Sequence, residues 1–420
     1  MSDTYCVIGK LRIVPIEGAK TLQLGYYGGL PYAVSKDIVE NKLYAIFIPD
    51  GRLSKEYHEA NKEQLTFFGK NLKVRSIKLM GGKITSVGFV ADIETLAYTG
   101  YDLSKFEEGM TFNELNGIPV CSKFIVKYGS GISSKNKIKT RQELVGLSMH
   151  PDTEQFYKFT NTLEAGDLIT ITLKLDGTSV RIANAYEPVE LKWYQKLLAR
   201  FVPSKQIDNR LYVGTRRVII QQTTGSGWYG SHDMYLEVGR KLEGLLYPGE
   251  AIYGEIVGWQ DENRPLFTRG GMRFLYGTLP GQRDFYVYNI KLTLPNGYSI
   301  DLPWNKIKTR CLELGLKHVP EIYDDEKWSW DEAFLESQFI YNGNLGMLER
   351  TVYSLVDGPD PIDPSHIREG VVLRVEKANG ETKFFKAKSK NYYELESKSK
   401  DAGEVDIEEE MSGENENPIN

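Results

Sequence analysis

The chain has 420 residues, 41% hydrophobic and 26% charged, which supplies apolar material for more than one core and excludes a disordered or fibrous protein. No apolar run reaches the length of a membrane span, and Met1-Ser2-Asp3-Thr4-Tyr5 lacks the basic and apolar stretches of a signal peptide, so a cytoplasmic protein with no membrane partner is expected. The net charge of −5 comes from Asp401 to Asn420, which holds eight acids and no base; the rest carries 52 − 49 = +3 and is compatible with a phosphate-bearing partner.

From Tyr5 to about Leu96, short apolar alternations (Cys6 to Ile8, Leu11 to Val14, Leu43 to Ile48, Leu72 to Ile77) are broken by Gly and Pro. They predict a small β-barrel or sandwich with one helix near Ser54 to Gln64. Lys127 to Lys139, rich in Gly, Ser and Lys, reads as a linker or exposed loop. Beyond it, strands are expected at Leu168 to Leu173, Val180 to Ile182, Tyr212 to Ile220, Ala251 to Val257, Phe285 to Ile290, Gly370 to Val375 and Thr382 to Ala387. Helices are expected at Ser231 to Leu246, Trp304 to Leu314 and Trp328 to Tyr341. Periods of 2 and 3.6 alternate irregularly, which favours α+β with antiparallel sheets over regular βαβ winding. The division is therefore residues 1–120, a β-rich domain; 121–398, a mixed domain; and 399–420, an acidic disordered tail.

Several segments put ionisable side chains where a bland strand would carry valine. Lys174-Leu175-Asp176-Gly177 ends an alternating apolar run and presents an amine beside a glycine turn, a place for a nucleophile. Tyr212 to Val218 carries Arg216 and Arg217; Ile252 to Gly258 carries Glu255 between apolar neighbours; Arg368 to Arg374 carries Glu369. An unpartnered glutamate on a buried strand is costly, so each should have a partner. Lys386 and Lys388 share one face of a strand, and like charges side by side are stabilised when an anion lies between them. With the aromatic run Phe285-Tyr286-Val287-Tyr288, this inventory suits nucleotidyl transfer: a nucleophilic lysine, cations for developing charge, carboxylates for metal or ribose, and an aromatic face for a base. By contrast, Gly225 to Gly230 fits a dinucleotide-binding glycine pattern only loosely, since no βαβ unit surrounds it. The five histidines and three distant cysteines show no metal-ligand spacing.

Taken in order, these segments resemble the covalent nucleotidyltransferases: DNA ligases, RNA ligases and capping enzymes. Lys174 to Gly177 resembles motif I, Tyr253 to Gly258 motif III, Phe285 to Ile290 motif IIIa, Glu369 to Leu373 motif IV and Phe385 to Lys388 motif V. The resemblance implies an antiparallel-sheet, ATP-grasp-like ligase domain in which Lys174, within the motif that includes Asp176 and Gly177, becomes linked to AMP. It implies that Arg216 and Glu255 contact ribose or phosphate, and that Tyr286 or Phe285 stacks on adenine. Glu369, with Glu255, would hold Mg²⁺ or Mn²⁺ through water, and Lys386 and Lys388 would grip the α-phosphate. Tyr288-Asn289 departs from the usual Phe-Asp pair of motif IIIa. Only 32 residues follow Lys388 (420 − 388), which leaves no room for the C-terminal OB domain of DNA ligases and capping enzymes. The β-rich N-terminal part and Met149 to Glu154 are instead similar to one RNA ligase family with an N-terminal OB domain. Its members seal 3′-OH/5′-phosphate nicks in duplexes whose 3′-OH end is RNA. The expectation is an ATP-dependent, monomeric RNA ligase whose partner is nicked RNA or RNA/DNA duplex. A DNA ligase or capping-type enzyme is the alternative within the chemistry, and a non-catalytic nick-binding module the alternative outside it.

Overall fold

The computed structural model describes residues 4–124, 144–149, 153–158, 162–188, 207–216, 219–220, 234–322 and 338–402. In the N-terminal part three of the four expected apolar runs form short strands, β1 (Cys6–Gly9), β2 (Arg12–Pro15) and β5 (Tyr44–Phe47), whereas Leu72 to Ser76 forms none; β3 (Leu22–Tyr27), β4 (Leu30–Ser35), β6 (Phe89–Asp92) and β7 (Thr111–Phe112) join them. They pair antiparallel in two sheets, ordered β7-β1-β5-β6 and β2-β3-β4, around one core that includes Ile8, Tyr32, Ile46, Phe47 and Tyr57. Pairing among the described strands leaves these as separate sheets and closes no barrel. Helix α1 (Lys55–Ala60) begins where Ser54 accepts a hydrogen bond from the Tyr57 N–H, and it is shorter than expected because the Asn61 side chain donates back to the Tyr57 carbonyl.

The rest of the chain builds two larger sheets. The first contains β8 (Glu154–Gln155), β9 (Leu168–Lys174), β17 (Gln338–Ile340), β18 (Gly370–Glu376) and β19 (Thr382–Lys388), in the order β8-β19-β18-β9-β17. The second contains β10 (Thr178–Pro188), β11 (Ile207–Thr215), β12 (Ile219–Ile220), β13 (Glu250–Gly258), β14 (Arg283–Thr293) and β15 (Ser299–Asp301), in the order β12-β11-β10-β13-β14-β15, with β16 (Lys317–His318) parallel to β14. Most pairs are antiparallel, so the class is α+β, as the irregular periods predicted. The alternation of β9 is what fixes its sides: Ile169, Ile171 and Leu173 enter the main core with Val371, Leu373, Phe385 and Ala387, which leaves Thr170, Thr172 and Lys174 on the opposite face. The segment after β16 joins the sheets, because the Val319 N–H donates to the Val287 carbonyl while the Leu173 and Ile322 N–H groups bond the Pro320 and Ile171 carbonyls.

Among the described residues, four α-helices complete this part: α2 (Met234–Lys241), α3 (Trp304–Leu314), α4 (Leu345–Val356) and α5 (Lys390–Asp401). The helix expected over Trp328 to Tyr341 requires correction at its end. Gln338–Ile340 is a strand, because the edge of β9 needs partners and Leu168, Ile169 and Thr170 pair with Ile340, Phe339 and Gln338; residues 323–337 lie outside the described set. Two helices escaped the sequence reading. Helix α4 buries Leu348, Val352, Leu355 and Val356 and is capped by Asn344, which accepts from the Met347 N–H. Helix α5 is capped by Ser389, which accepts from the Asn391 and Tyr392 N–H groups, and it runs past residue 399, where a tail was expected. The expected linker at Lys127 to Lys139, the Gly225 to Gly230 loop and most of the acidic tail lie outside the described residues.

Candidate active site

Lys174 is the last residue of β9, and Leu175-Asp176-Gly177 carries the chain directly into β10 of the other sheet. The lysine thus stands where the two sheets meet. Register places Lys174, Gly370 and Lys388 in one row across three strands, with Thr172, Val372 and Lys386 in the next row on the same face. The row closes up because Gly370 has no side chain: a Cβ there would lie 2.2 Å from the Ala387 carbonyl oxygen. Glu369 enters from the preceding residue and accepts from Lys174, Nζ–Oε1 2.8 Å, while Lys388 Nζ lies 3.9 Å from the same oxygen. Its other oxygen, Oε2, is buried and has no hydrogen-bond partner. Burial pushes the Glu369 carboxyl above its ordinary range, against the pull of Lys174.

Two acids hold the neighbours of this row: Glu396, which the sequence reading missed, and Asp176, which it named within the motif of Lys174. The Glu396 carboxylate on α5 accepts from Lys388 with both oxygens at 3.1 Å. Burial of Lys388 favours the neutral amine, but the Glu396 and Glu369 charges outweigh it and hold the ammonium above its usual range. The Asp176 carboxylate, only 6% exposed, faces Arg269 through two contacts of 3.2 Å, and the Asp176 N–H donates to the Tyr276 hydroxyl at 2.6 Å. Asp176 therefore braces the turn behind Lys174 with its carboxylate engaged by Arg269. Gly177 packs against the opposite strand so closely that a Cβ would stand 2.6 Å from Glu255 Cγ.

Glu255 lies across from Ser179 and Tyr286 in register and accepts from the Ser179 hydroxyl at 3.0 Å. Tyr286 is buried beside Lys317, whose Nζ is 5.5 Å from the ring centre. Phe285 instead covers Gly254, on the adjoining row. Arg216 directly follows β11 and is exposed. A bulge opposite Tyr253/Gly254 leaves Tyr288 out of register, and Asn289 turns inward, fully buried. Asn289 accepts from Arg374 at 2.9 Å and donates to Asp301 at 2.6 Å. An aspartate there would set two carboxylates side by side; the amide can both accept and donate, which explains the departure from the Phe-Asp pair. The structure thus gathers Lys174, Asp176, Gly177, Glu255, Glu369 and Lys388 around one strand crossing, with Lys386 in the next row.

The loop before Glu369 is also buried. Asp360 is fully buried; its Oδ1 accepts from the Ile362 and Asp363 N–H groups, and its Oδ2 has no hydrogen-bond partner. Burial, partly offset by His366, pushes its carboxyl from 3.8 up to about 6. A raised folded-state value favours folding below the ordinary range, and that contribution is lost as pH rises through 6, on the order of 3 kcal/mol. Asp360→Asn removes this dependence, so its stability relative to wild type is expected to improve between pH 4.5 and pH 7 in denaturant melts.

No group of three or more His, Cys, Asp or Glu side chains that could enclose a metal occurs among the described residues. The buried, partnerless Glu369 Oε2 does fit a divalent ion held through water and completed by substrate phosphates, the habit of Mg²⁺-type sites. Cys6, Cys121 and Cys311 are free and buried, and no described helix is long and apolar enough to cross a membrane.

A search of curated proteins gives no match. Among solved structures, the chain is similar to Naegleria gruberi RNA ligase with PPi, at 18% identity and a TM-score of 0.60, with 93% of this chain and 98% of that one covered. It is also similar to an arginine-to-alanine mutant of the same ligase with ATP and Mn, at 18% identity, TM-score 0.58 and coverage of 94% and 100%. A lysine-to-methionine mutant with AMP and Mn gives 16% identity, TM-score 0.57 and coverage of 93% and 98%. At these identities the likeness is one of fold. A sequence model of the RNA ligase family matches residues 167–388, from the start of β9 to the end of β19 and more than half of the chain. The chain belongs to the RNA ligase family.

Proposed function

We propose that the protein is an ATP-dependent RNA ligase that seals 3′-OH/5′-phosphate nicks in duplexes with RNA at the 3′-OH end. The observation that carries this reading is the Lys174-Glu369-Lys388 row at the crossing of the two sheets. In the first step the Lys174 amine attacks the α-phosphorus of ATP; a P–N bond forms, the bond to the β-phosphate oxygen breaks, and pyrophosphate leaves. In the second, an oxygen of the RNA 5′-phosphate takes the AMP and frees the lysine. In the third, the 3′-OH attacks the activated 5′-phosphorus and AMP departs. Lys386 and Lys388 neutralise charge on the α-phosphate, Glu255 and Arg216 engage ribose or phosphate, and Tyr286 or Phe285 supplies the face for adenine. Glu369, with Glu255, would hold Mg²⁺ or Mn²⁺ through water, and the ion would neutralise phosphate charge when bound. The solved ligase structures with ATP and Mn and with AMP and Mn support this choice of nucleotide and metal class.

The N-terminal part, residues 1–120, is read as an OB-like domain that lies on the duplex beside the nick, residues 121–398 as the ATP-grasp-like catalytic domain, and 399–420 as an acidic extension of a monomeric, cytoplasmic enzyme. The test offers four nicked duplexes, with RNA or DNA on either side of the nick, together with ATP or GTP and a divalent ion. Sealing with ATP only where the 3′-OH strand is RNA is expected. Equal sealing of the all-DNA nick, or labelling by GTP, points to a DNA ligase or capping-type enzyme. Nick binding without sealing points to a binding module.

A further inference from the structure

Lys388 has a choice of anions. Glu369 Oε1 is 3.9 Å from its Nζ and is also the partner of Lys174, whereas both Glu396 oxygens stand at 3.1 Å on the other side. The Tyr392 and Tyr393 rings flank the ammonium at 5.2 and 5.7 Å. Glu396 is itself fixed. Its helix starts on Ser389, one residue after Lys388, and the Ser389 hydroxyl donates to Asp357 at 2.6 Å. One turn along α5, Lys400 Nζ lies 4.0 Å from Glu396 and 2.6 Å from Asp50 of the N-terminal part. Buried Lys73 of the same part donates to the Ser397 carbonyl and to Asp401, both at 2.9 Å. Charges of alternating sign therefore run from Lys174 through Glu369, Lys388, Glu396 and Lys400 to Asp50.

We propose that Glu396 is a positioning residue for the ligation reaction: it holds the Lys388 ammonium off Glu369 and in line for the nucleotide phosphate, and its own place is set through Lys400 by the seating of the N-terminal part on α5. This rests on the phosphate role given to Lys388 above. A lysine released from Glu396 would swing towards Glu369 and compete with Lys174 for it. Displacement of a positioned charge by about 1 Å is enough for losses of up to about a hundredfold in rate.

The test is single-turnover transfer of α-labelled AMP to the full-length protein, measured against ATP concentration. Glu396→Gln keeps the shape and removes the charge; its maximal rate is expected to fall at least about tenfold, with the half-saturating ATP concentration changed less than about twofold. Glu396→Asp is expected to recover part of the rate, a recovery that loss of packing alone would not give. Lys388→Met is expected to lose as much as Glu396→Gln, and the double variant little more than Lys388→Met alone. A wild-type rate for Glu396→Gln, or full additivity with Lys388→Met, would overturn the inference while leaving Lys388 in its role. A wild-type rate for Lys388→Met would overturn that role and the inference with it. Should Glu396→Gln fail to fold, Asp50→Asn replaces it: a smaller loss in the same maximal rate is expected, and an unchanged rate overturns the relay.

Discussion

Lys174→Ala is expected to acquire no covalent AMP from α-labelled ATP, where the wild-type chain is labelled in the presence of a divalent ion. The amine is the only atom of the proposed first step that becomes bonded to the nucleotide, so no neighbour can replace it: Lys388 is held by Glu396, and Lys386 stands a row further along β19. Sealing of a nick whose 5′ end already carries AMP bypasses the first two steps and is expected to survive in part, since positioning and charge neutralisation remain. Melting temperature separates this from misfolding. Lys174 lies at a strand end and is about a quarter exposed, so its truncation leaves the main core intact. Label on Lys174→Ala equal to that on wild type would refute the assignment.

Arg269→Ala is expected to destabilise the fold by about 3–5 kcal/mol, the range for removing one partner of a buried ion pair. Arg269 is 7% exposed, and its guanidinium engages both Asp176 oxygens and lies 5.1 Å from the centre of the Phe267 ring, so alanine leaves a buried carboxylate without its cation and opens a void. Because Asp176 braces the turn behind Lys174, AMP transfer should fall as well. Adding Asp176→Asn removes the stranded charge and is expected to recover much of the stability lost. Denaturant melts of the two single variants and the double measure the coupling; strict additivity would mean that the pair does not act as one unit.

Much of this arrangement was legible in the chain because it is written with period 2. Lys174, Lys386 and Lys388 alternate with Leu173, Phe385 and Ala387, which enter the core, and that alternation puts the three lysines on one face once β9, β18 and β19 pair. Glu255 and Glu369 announced themselves as costly charges in apolar runs, and both have partners, Ser179 and Lys174. What escaped was carried by long-range pairing. Arg269 sits in a glycine turn 93 residues from Asp176, and nothing local marks it. Glu396 occurs among lysines and acids to which the sequence reading assigned no element; its burial arises because the N-terminal part lies against the same helix, α5. Gln338–Ile340 shows the converse, where an apparent helical period yields to an open strand edge. Of the N-terminal strands β1, β2 and β5 were legible but β3, β4 and β7 were not, nor was the pairing, since runs of three to six residues specify their faces more firmly than their neighbours.

Helix α5 gives the two halves of the molecule a shared fate in unfolding. It is continuous with β19 through a single residue, and it supplies Tyr393 to the N-terminal core and Tyr392 and Leu395 to the other. Peeling the N-terminal part away would strip Lys73 of its carboxylate and carbonyl and expose an aromatic side of the helix that also anchors the strand of Lys386 and Lys388. The boundary drawn near residue 120 is therefore one of chain order and not of cooperativity: helix α5 belongs to both cores, and neither half keeps its own interior complete without it.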